Sequence, residues 1–224
     1  MTTYADVEVA CGCCGTTFTH QELASCYTAG PAALDTRPSE MMRSTMHSWI
    51  QHCPNCDYCA VDASKFDERC REVLLSDAYR NELNRGGVEK KRLRSVFKCA
   101  AMLYEACGDR ASAAWENLHL AWIYDDLKQA DLARDHRNKA ADLILAILHD
   151  GAKFSTQEGA SEAIVTDVLR RAGRGDQAIQ IISEALGKDI PDVIKKVLMY
   201  ERTLIQKKDI DEHGIEECSE PISE

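Results

Sequence analysis

The sequence predicts a mainly α-helical chain, an antiparallel helical array that follows a small N-terminal β module. Three observations predict it. From residue 64 to residue 208, apolar residues recur at three- and four-residue spacing, as one buried face of a helix requires. Very short turns, several with glycine, separate these stretches, and helices joined so briefly pack as antiparallel neighbours. Seven of the eleven cysteines lie before residue 60, in a segment with strand-like alternation and no helical period.

In residues 3–10, Val7 and Val9 alternate with Asp6 and Glu8, a short strand running into Cys11. Residues 28–45 contain Gly30, Pro31 and Pro38 among small and polar neighbours and read as loop. Trp49-Ile50-Gln51-His52 leads into Cys53 as a second short strand. Ser64 is placed to cap a first helix carrying Phe66, Cys70, Val73, Leu74 and Ala78, which ends near Gly86-Gly87. The second carries Leu93, Val96, Phe97, Ala100, Leu103, Tyr104 and Cys107 and stops at Gly108. A third holds Ala111, Ala114, Trp115, Leu118, Ala121 and Trp122, and a fourth runs from Ala133 through Ile144 and Ile147 to a stop before Gly151. Thr156 opens a fifth that closes at Gly173, Ala178 to Ala185 form a sixth, and Pro191 suits the first turn of a seventh.

The helices also carry an internal period. Leu120-Ala121, Tyr124, Ala133 and Ala140 fall at the offsets where the paired helices of tetratricopeptide (TPR) repeats touch, and Leu169, Gly173, Ala178, Ile182 and Ala185 repeat much of that pattern. Alanine at positions 133 and 178 lets the second helix of each pair approach the first closely. Lys128 stands where a turn glycine is usual, and Arg137 where an aromatic or large apolar residue is usual. The array is therefore TPR-like rather than TPR, and the competing reading is an irregular bundle with ordinary amphipathic helices.

A content of 45% hydrophobic and 29% charged residues suits a globular chain with a real core. No apolar run approaches the ~18–20 residues that span a bilayer, and Met1 to Asp6 lack the basic and apolar regions of a signal peptide. The expectation is a cytoplasmic protein with no membrane contact. The net charge of −10 is uneven: residues 1–64 carry two Arg against seven acids, and residues 209–224 carry seven acids with no Lys or Arg. Three regions follow, a cysteine-bearing module (1–64), the helical domain (65–208) and an acidic tail (209–224) predicted to be disordered. An acidic module is poorly suited to displace counterions from nucleic acid.

In a reducing compartment, clustered cysteines bind metal or do redox chemistry rather than form structural disulfides. Cys11-Gly12-Cys13-Cys14-Gly15 and Cys53-Pro54-Asn55-Cys56-Asp57 each contain a Cys-x-x-Cys. Two intervening residues put both sulfurs on one side of a tight turn, and Gly15 and Asp57 stand where a left-handed residue closes it. Two such knuckles supply the four soft ligands of a closed tetrahedral zinc site, Cys11, Cys14, Cys53 and Cys56, in a ribbon-like β module. Such a site has no open position for water or substrate, so its one Zn²⁺ is structural. The 38 residues between Cys14 and Cys53 exceed the ~15–20 of compact ribbons, and a loop absorbs such length at small entropic cost. Cys59 extends the second pair to C-x2-C-x2-C, as in part of a ferredoxin run, but the fourth ligand and its proline are missing. A thioredoxin-like pair would need a βαβ context that is absent.

Leu34-Asp35-Thr36-Arg37-Pro38 and Trp49-Ile50-Gln51-His52-Cys53-Pro54-Asn55-Cys56-Asp57-Tyr58 resemble a bacterial domain-of-unknown-function family with paired C-x-x-C and C-P-x-C-G-Y motifs before TPR-like helices. The resemblance implies zinc and the helical array and brings no activity with it. Asp57 replaces the family's glycine, and Cys59 a small apolar residue.

Lys90, Arg94 and Lys98 form a basic stripe on the second helix, either an anion or partner contact or a solvated face. Trp115, Trp122 and Tyr124 read as core before they read as a groove. The chain has no Gly-rich phosphate loop, His-Glu-x-x-His, nucleophile elbow or credible acid–base pair of carboxylates. The expectation is a non-catalytic, zinc-stabilised scaffold for a protein or peptide partner. The alternatives are a nucleic-acid-associated regulator using the basic stripe, and a thiol-redox or iron–sulfur protein.

Overall fold

A computed structural model describes residues 2–85 and 89–219. Strand β1 (Thr3–Ala10) pairs antiparallel with β2 (Thr17–Ser25), Ala10 opposite Thr17 and Val7 opposite His20. A short α1 (Glu40–Arg43) and a 3-10 turn (Met46–Ser48) lead to a second, smaller hairpin of β3 (Gln51–His52) and β4 (Cys59–Ala60). The rest is helical: α2 (Arg71–Leu75), α3 (Asp77–Asn84), α4 (Glu89–Cys107), α5 (Arg110–Asp126), α6 (Ala130–His149), α7 (Ala160–Arg171), α8 (Gly175–Leu186) and α9 (Asp192–Gln206). The chain is thus mainly helical with two small two-stranded sheets. Among the described residues no helix is long and apolar enough to cross a membrane.

From α3 on, each helix packs against its successor, and α9 also returns onto α7. One apolar cluster runs without a break from Val9 and Cys11 through Tyr79, Phe97, Leu118 and Ile144 to Leu169 and Ala178. A second, smaller one gathers Leu34, Ile182, Leu198 and Leu204. The β hairpins therefore share their core with the array. Ala133, Ala140, Ala178 and Ala185 are all buried, as close approach of α6 to α5 and of α8 to α7 demands.

The turns repeat one geometry. After α5 the amide of Gln129 donates to the Tyr124 carbonyl (2.9 Å) and that of Lys128 to Asp125 (2.9 Å), the paired bonds of a Schellman cap. After α7, Arg174 donates to Leu169 (2.8 Å) and Gly173 to Arg170 (2.9 Å) in the same way. Gly173 meets the required left-handed backbone without a side chain (φ 80°), whereas Lys128 adopts it with one (φ 58°). The missing glycine therefore leaves the turn geometry unchanged.

Several expectations are corrected. The single helix expected from Ser64 is a 3-10 turn (Glu68–Cys70), α2 and α3. Ser76 breaks it: its backbone is extended and its side chain accepts from the Tyr79 amide, capping α3. Helix α7 starts at Ala160 rather than Thr156, because Gly159 is left-handed (φ 73°). Strand β2 escaped the sequence reading because it is largely exposed on both faces and has little apolar alternation. The expected disordered tail is instead folded over residues 209–219, ending in a 3-10 turn (Ile215–Ser219). Its acids find buried arginines, a long-range pairing that local composition does not contain.

Ala178 is fully buried where α8 meets α7. Ala178→Leu should destabilise the fold by about 1–3 kcal/mol through overpacking. Lys188→Leu, on the exposed side beyond α8, should shift stability by no more than about 0.5 kcal/mol. Equal thermal melts for the two variants would mean that the predicted helix contact does not exist.

Candidate metal centre

Each Cys-x-x-Cys occupies the tip of a hairpin, the first between β1 and β2, the second between β3 and β4. The two tips have the same hydrogen bonds. The Cys11 amide donates to the Thr16 carbonyl (3.0 Å) and the Cys53 amide to the Tyr58 carbonyl (2.9 Å). In return, the amides of Gly15 and Asp57 donate to the carbonyls of Cys11 (2.8 Å) and Cys53 (3.0 Å). Both closing residues are left-handed, Gly15 at φ 74° and Asp57 at φ 64°. Asp tolerates this region better than most residues with a side chain, so the departure at Asp57 leaves the knuckle intact.

The tips face each other. Cys11 Sγ lies 3.7 Å from Cys56 Sγ, and Cys14 Sγ lies 3.7 Å from Cys53 Sγ. All four sulfurs fall within 4.8 Å of one another. Four cysteines thus lie close together in an arrangement that could bind a metal ion. Amides of Cys13 and Cys14 point at the Cys11 sulfur, and that of Tyr58 at the Cys56 sulfur, while burial pushes both thiols up. Side-chain hydrogen bonds from Thr16 and Asn55 (Nδ2–Sγ 3.5 Å) lower the exposed Cys14 thiol to about 5. Cys11 and Cys53 are buried while Cys14 is exposed, so the site opens to solvent on one corner.

The surroundings hold the tips in place. The Gly12 amide donates to the Ala63 carbonyl (2.9 Å), and a Cβ at Gly12 would stand 2.4 Å from the Ser64 carbonyl oxygen. Only glycine lets the first tip settle on the 63–66 segment. Tyr79 of α3 donates its hydroxyl to the Asp57 carbonyl (2.8 Å), tying the second tip to the helices. Cys59 is not part of the grouping: it is fully buried and its thiol donates to the Asp57 carbonyl.

The basic stripe is described at two of its three positions. Lys98 is engaged by the buried Glu82 (2.8 Å), and Arg94 is half-buried. The side chain of Lys90 lies outside the described residues. Trp122 is buried, as a core reading implies, and Trp115 stacks on Phe154 (ring centroids 4.5 Å apart).

The sequence reading missed a second constellation. Asp35 is fully buried, accepts from the indole of Trp122 (2.8 Å) and pairs with Arg171 (3.3 Å). Arg171 also reaches Asp125 (3.0 Å), which takes both Nη atoms of Arg137. Arg37 bonds Asp126 (2.6 Å) and Glu212. Burial alone would raise the Asp125 carboxyl, but Arg137, Arg171 and Arg37 hold it below its ordinary range. Nearby, Arg170 pairs with Asp167 and with Glu201 (2.7 Å), all three buried. The one available signal was Arg137, a charge on an apolar face.

Comparison of the chain with protein-family models, with curated proteins and with solved structures finds no match.

Among the described residues, none donates to Asp167 Oδ2 or Glu201 Oε1. Burial raises both carboxyls, that of Glu201 well above its ordinary range. The folded state thus binds a proton that the unfolded chain has released above about pH 4.3, so this pair's contribution to stability falls as pH rises toward the folded pKa. Glu201→Gln supplies a permanent donor and acceptor. It should flatten the decline in melting temperature as pH rises above about 4.3, which thermal melts at several pH values would read.

Proposed function

We propose that Cys11, Cys14, Cys53 and Cys56 hold one structural Zn²⁺, and that the protein is a zinc-stabilised interaction scaffold whose TPR-like helices present a surface to a protein or peptide partner. The sulfur geometry carries the metal reading. A regular tetrahedron with Zn–S bonds of about 2.3 Å has edges of about 3.8 Å, and two of the sulfur–sulfur edges are 3.7 Å. Sulfurs this close leave room for a single ion between them, which favours zinc over a multi-iron cluster. When bound, the ion contributes folding free energy to the β hairpins, which cover too little apolar surface to stand alone. All four ligands come from the protein, so the role is structural.

The scaffold reading is supported by the paired helices α5–α6 and α7–α8, their buried alanines and their matching turns. The nucleic-acid reading draws less on Lys98, which is engaged by Glu82.

Protein purified without added metal should contain about one zinc per chain by elemental analysis, be colourless, and release the metal to a thiol-oxidising reagent. Iron with sulfide, or no metal, would refute the assignment. Cys56→Ser should expose β1–β4 and their tips to proteolysis before α5–α9, because each of those helices also packs against its neighbours in the array. Gly12→Ala retains every thiol yet should hold zinc more weakly than wild type in competition with a chelator, since its Cβ would meet the Ser64 carbonyl.

A further inference from the structure

The acidic segment after α9 lies against the C-terminal end of α7 and the 32–37 loop and is held in an unusual way. No residue from Gln206 to Cys218 is buried. Its two isoleucines face solvent, Ile210 at 58% and Ile215 at 45% exposure. What fixes the segment is its backbone and two carboxylates, Glu212 at the arginines and Glu217, which accepts from the Tyr200 hydroxyl of α9 (2.8 Å). Arg170 Nη1 donates to the carbonyls of Asp209 (2.9 Å) and Asp211 (3.0 Å), two residues apart. The Leu34 amide donates to the His213 carbonyl (3.0 Å) and the Ile215 amide to the Ala32 carbonyl (3.0 Å), so the segment bridges the 32–37 loop antiparallel. Between these two anchors, Glu212 meets Arg37 and lies 3.8 Å from Arg171.

The face beneath has partners of its own. Arg37, Arg170 and Arg171 are buried and held by Asp35, Asp125, Asp126, Asp167 and Glu201, which belong to the loop and the helices. Arg170 reads main-chain carbonyls that any sequence offers, the loop edge reads main-chain amides and carbonyls, and Arg37 with Arg171 select a carboxylate. We infer that this face is a binding surface for an extended acidic segment of a protein partner, and that residues 209–217 are its resident, displaceable occupant. The inference rests on the scaffold reading and names the chemistry of its partner. A covered site binds an outside ligand more weakly in proportion to how rarely it is open, so weakening the occupant strengthens capture of a rival peptide.

The test uses the full chain. The probe is a labelled synthetic peptide of residues 207–219 with Cys218→Ser, followed by fluorescence anisotropy. Glu212→Ala with His213→Ala loosens the resident segment, and the double variant should bind the probe about tenfold more tightly than wild type, as the loss of one charge-assisted bond implies. Adding Arg37→Gln to that variant should remove the gain, and a scrambled peptide of equal charge should bind more weakly than the probe. Equal affinity of the double variant and wild type, or equal binding of the scrambled peptide, would overturn the inference. Hydrogen exchange on wild type gives a reading independent of whether the variants fold: residues 209–217 should exchange far faster than α7 and α9. Protection matching those helices would show a fixed structural tail and overturn the inference equally. A chain that carries its zinc and melts cooperatively but ignores the peptide would keep the scaffold reading and lose only this one.

Discussion

Three buried guanidinium groups at one place constrain everything around them. Arg37, Arg137 and Arg171 lie within one charge cluster, and a buried cation without a partner costs several kcal/mol. Carboxylates must therefore come from every direction: Asp35 from the long loop between the knuckles, Asp125 and Asp126 from the end of α5, and Glu212 from beyond α9. The loop cannot leave without taking Asp35 from Arg171, nor α5 without stranding Arg137. By this requirement the N-terminal region and the array become one folded unit, with the acidic segment laid on its rim. Such an arrangement contributes less to stability than an apolar core of the same volume would. Its contribution is to the alignment of the parts, because only one relative placement satisfies all the charges.

The two polar centres solve different problems. Each knuckle is a local object, with its hydrogen bonds spanning five residues and its closing residue adjacent to the second cysteine. It can take shape on its own hairpin, and the sulfurs then have only to meet. The charge cluster is the reverse, since Asp35 and Arg171 are 136 residues apart and nothing near either predicts the other. Closing such a loop costs entropy before the contact rewards it. The cluster is thus specified by the pairing of helices through Ala133 and Ala178 rather than by its own neighbourhood in the chain.

That difference explains what could be read from the residues. Strand β1, helices α4 to α9 and the grouping of Cys11, Cys14, Cys53 and Cys56 follow from local spacing, and the left-handed role of Asp57 and Gly15 follows from turn stereochemistry. Ser76 was hidden because a serine inside an apolar period looks like a tolerated polar position, and only its extended backbone shows it to be a cap. Strand β2 was hidden because it buries almost nothing. Asp35 and Arg37 stood in plain view in Leu34-Asp35-Thr36-Arg37-Pro38, but a loop motif without a known partner carries no role. Arg137 was the clue, because a charge on the packed face of α6 must be answered by an acid.

The loop motif itself then makes physical sense. Thr36 sits in the left-handed region (φ 67°) and reverses the chain, so that the Arg37 amide donates back to the Asp35 carboxylate (3.1 Å). The turn fixes Asp35 and Arg37 as a pair before they meet the helices. Asp35 then points inward to Trp122 and Arg171, and Arg37 reaches Asp126 and the carbonyl of Trp122. Ala33 and Leu34, on the strand side of the same turn, offer their backbone to the acidic segment. A single five-residue motif thus supplies an acid to the interior, a base to the rim and an edge for an extended chain. The long insertion between the two cysteine pairs is the route by which the hairpins deliver that motif to the helices.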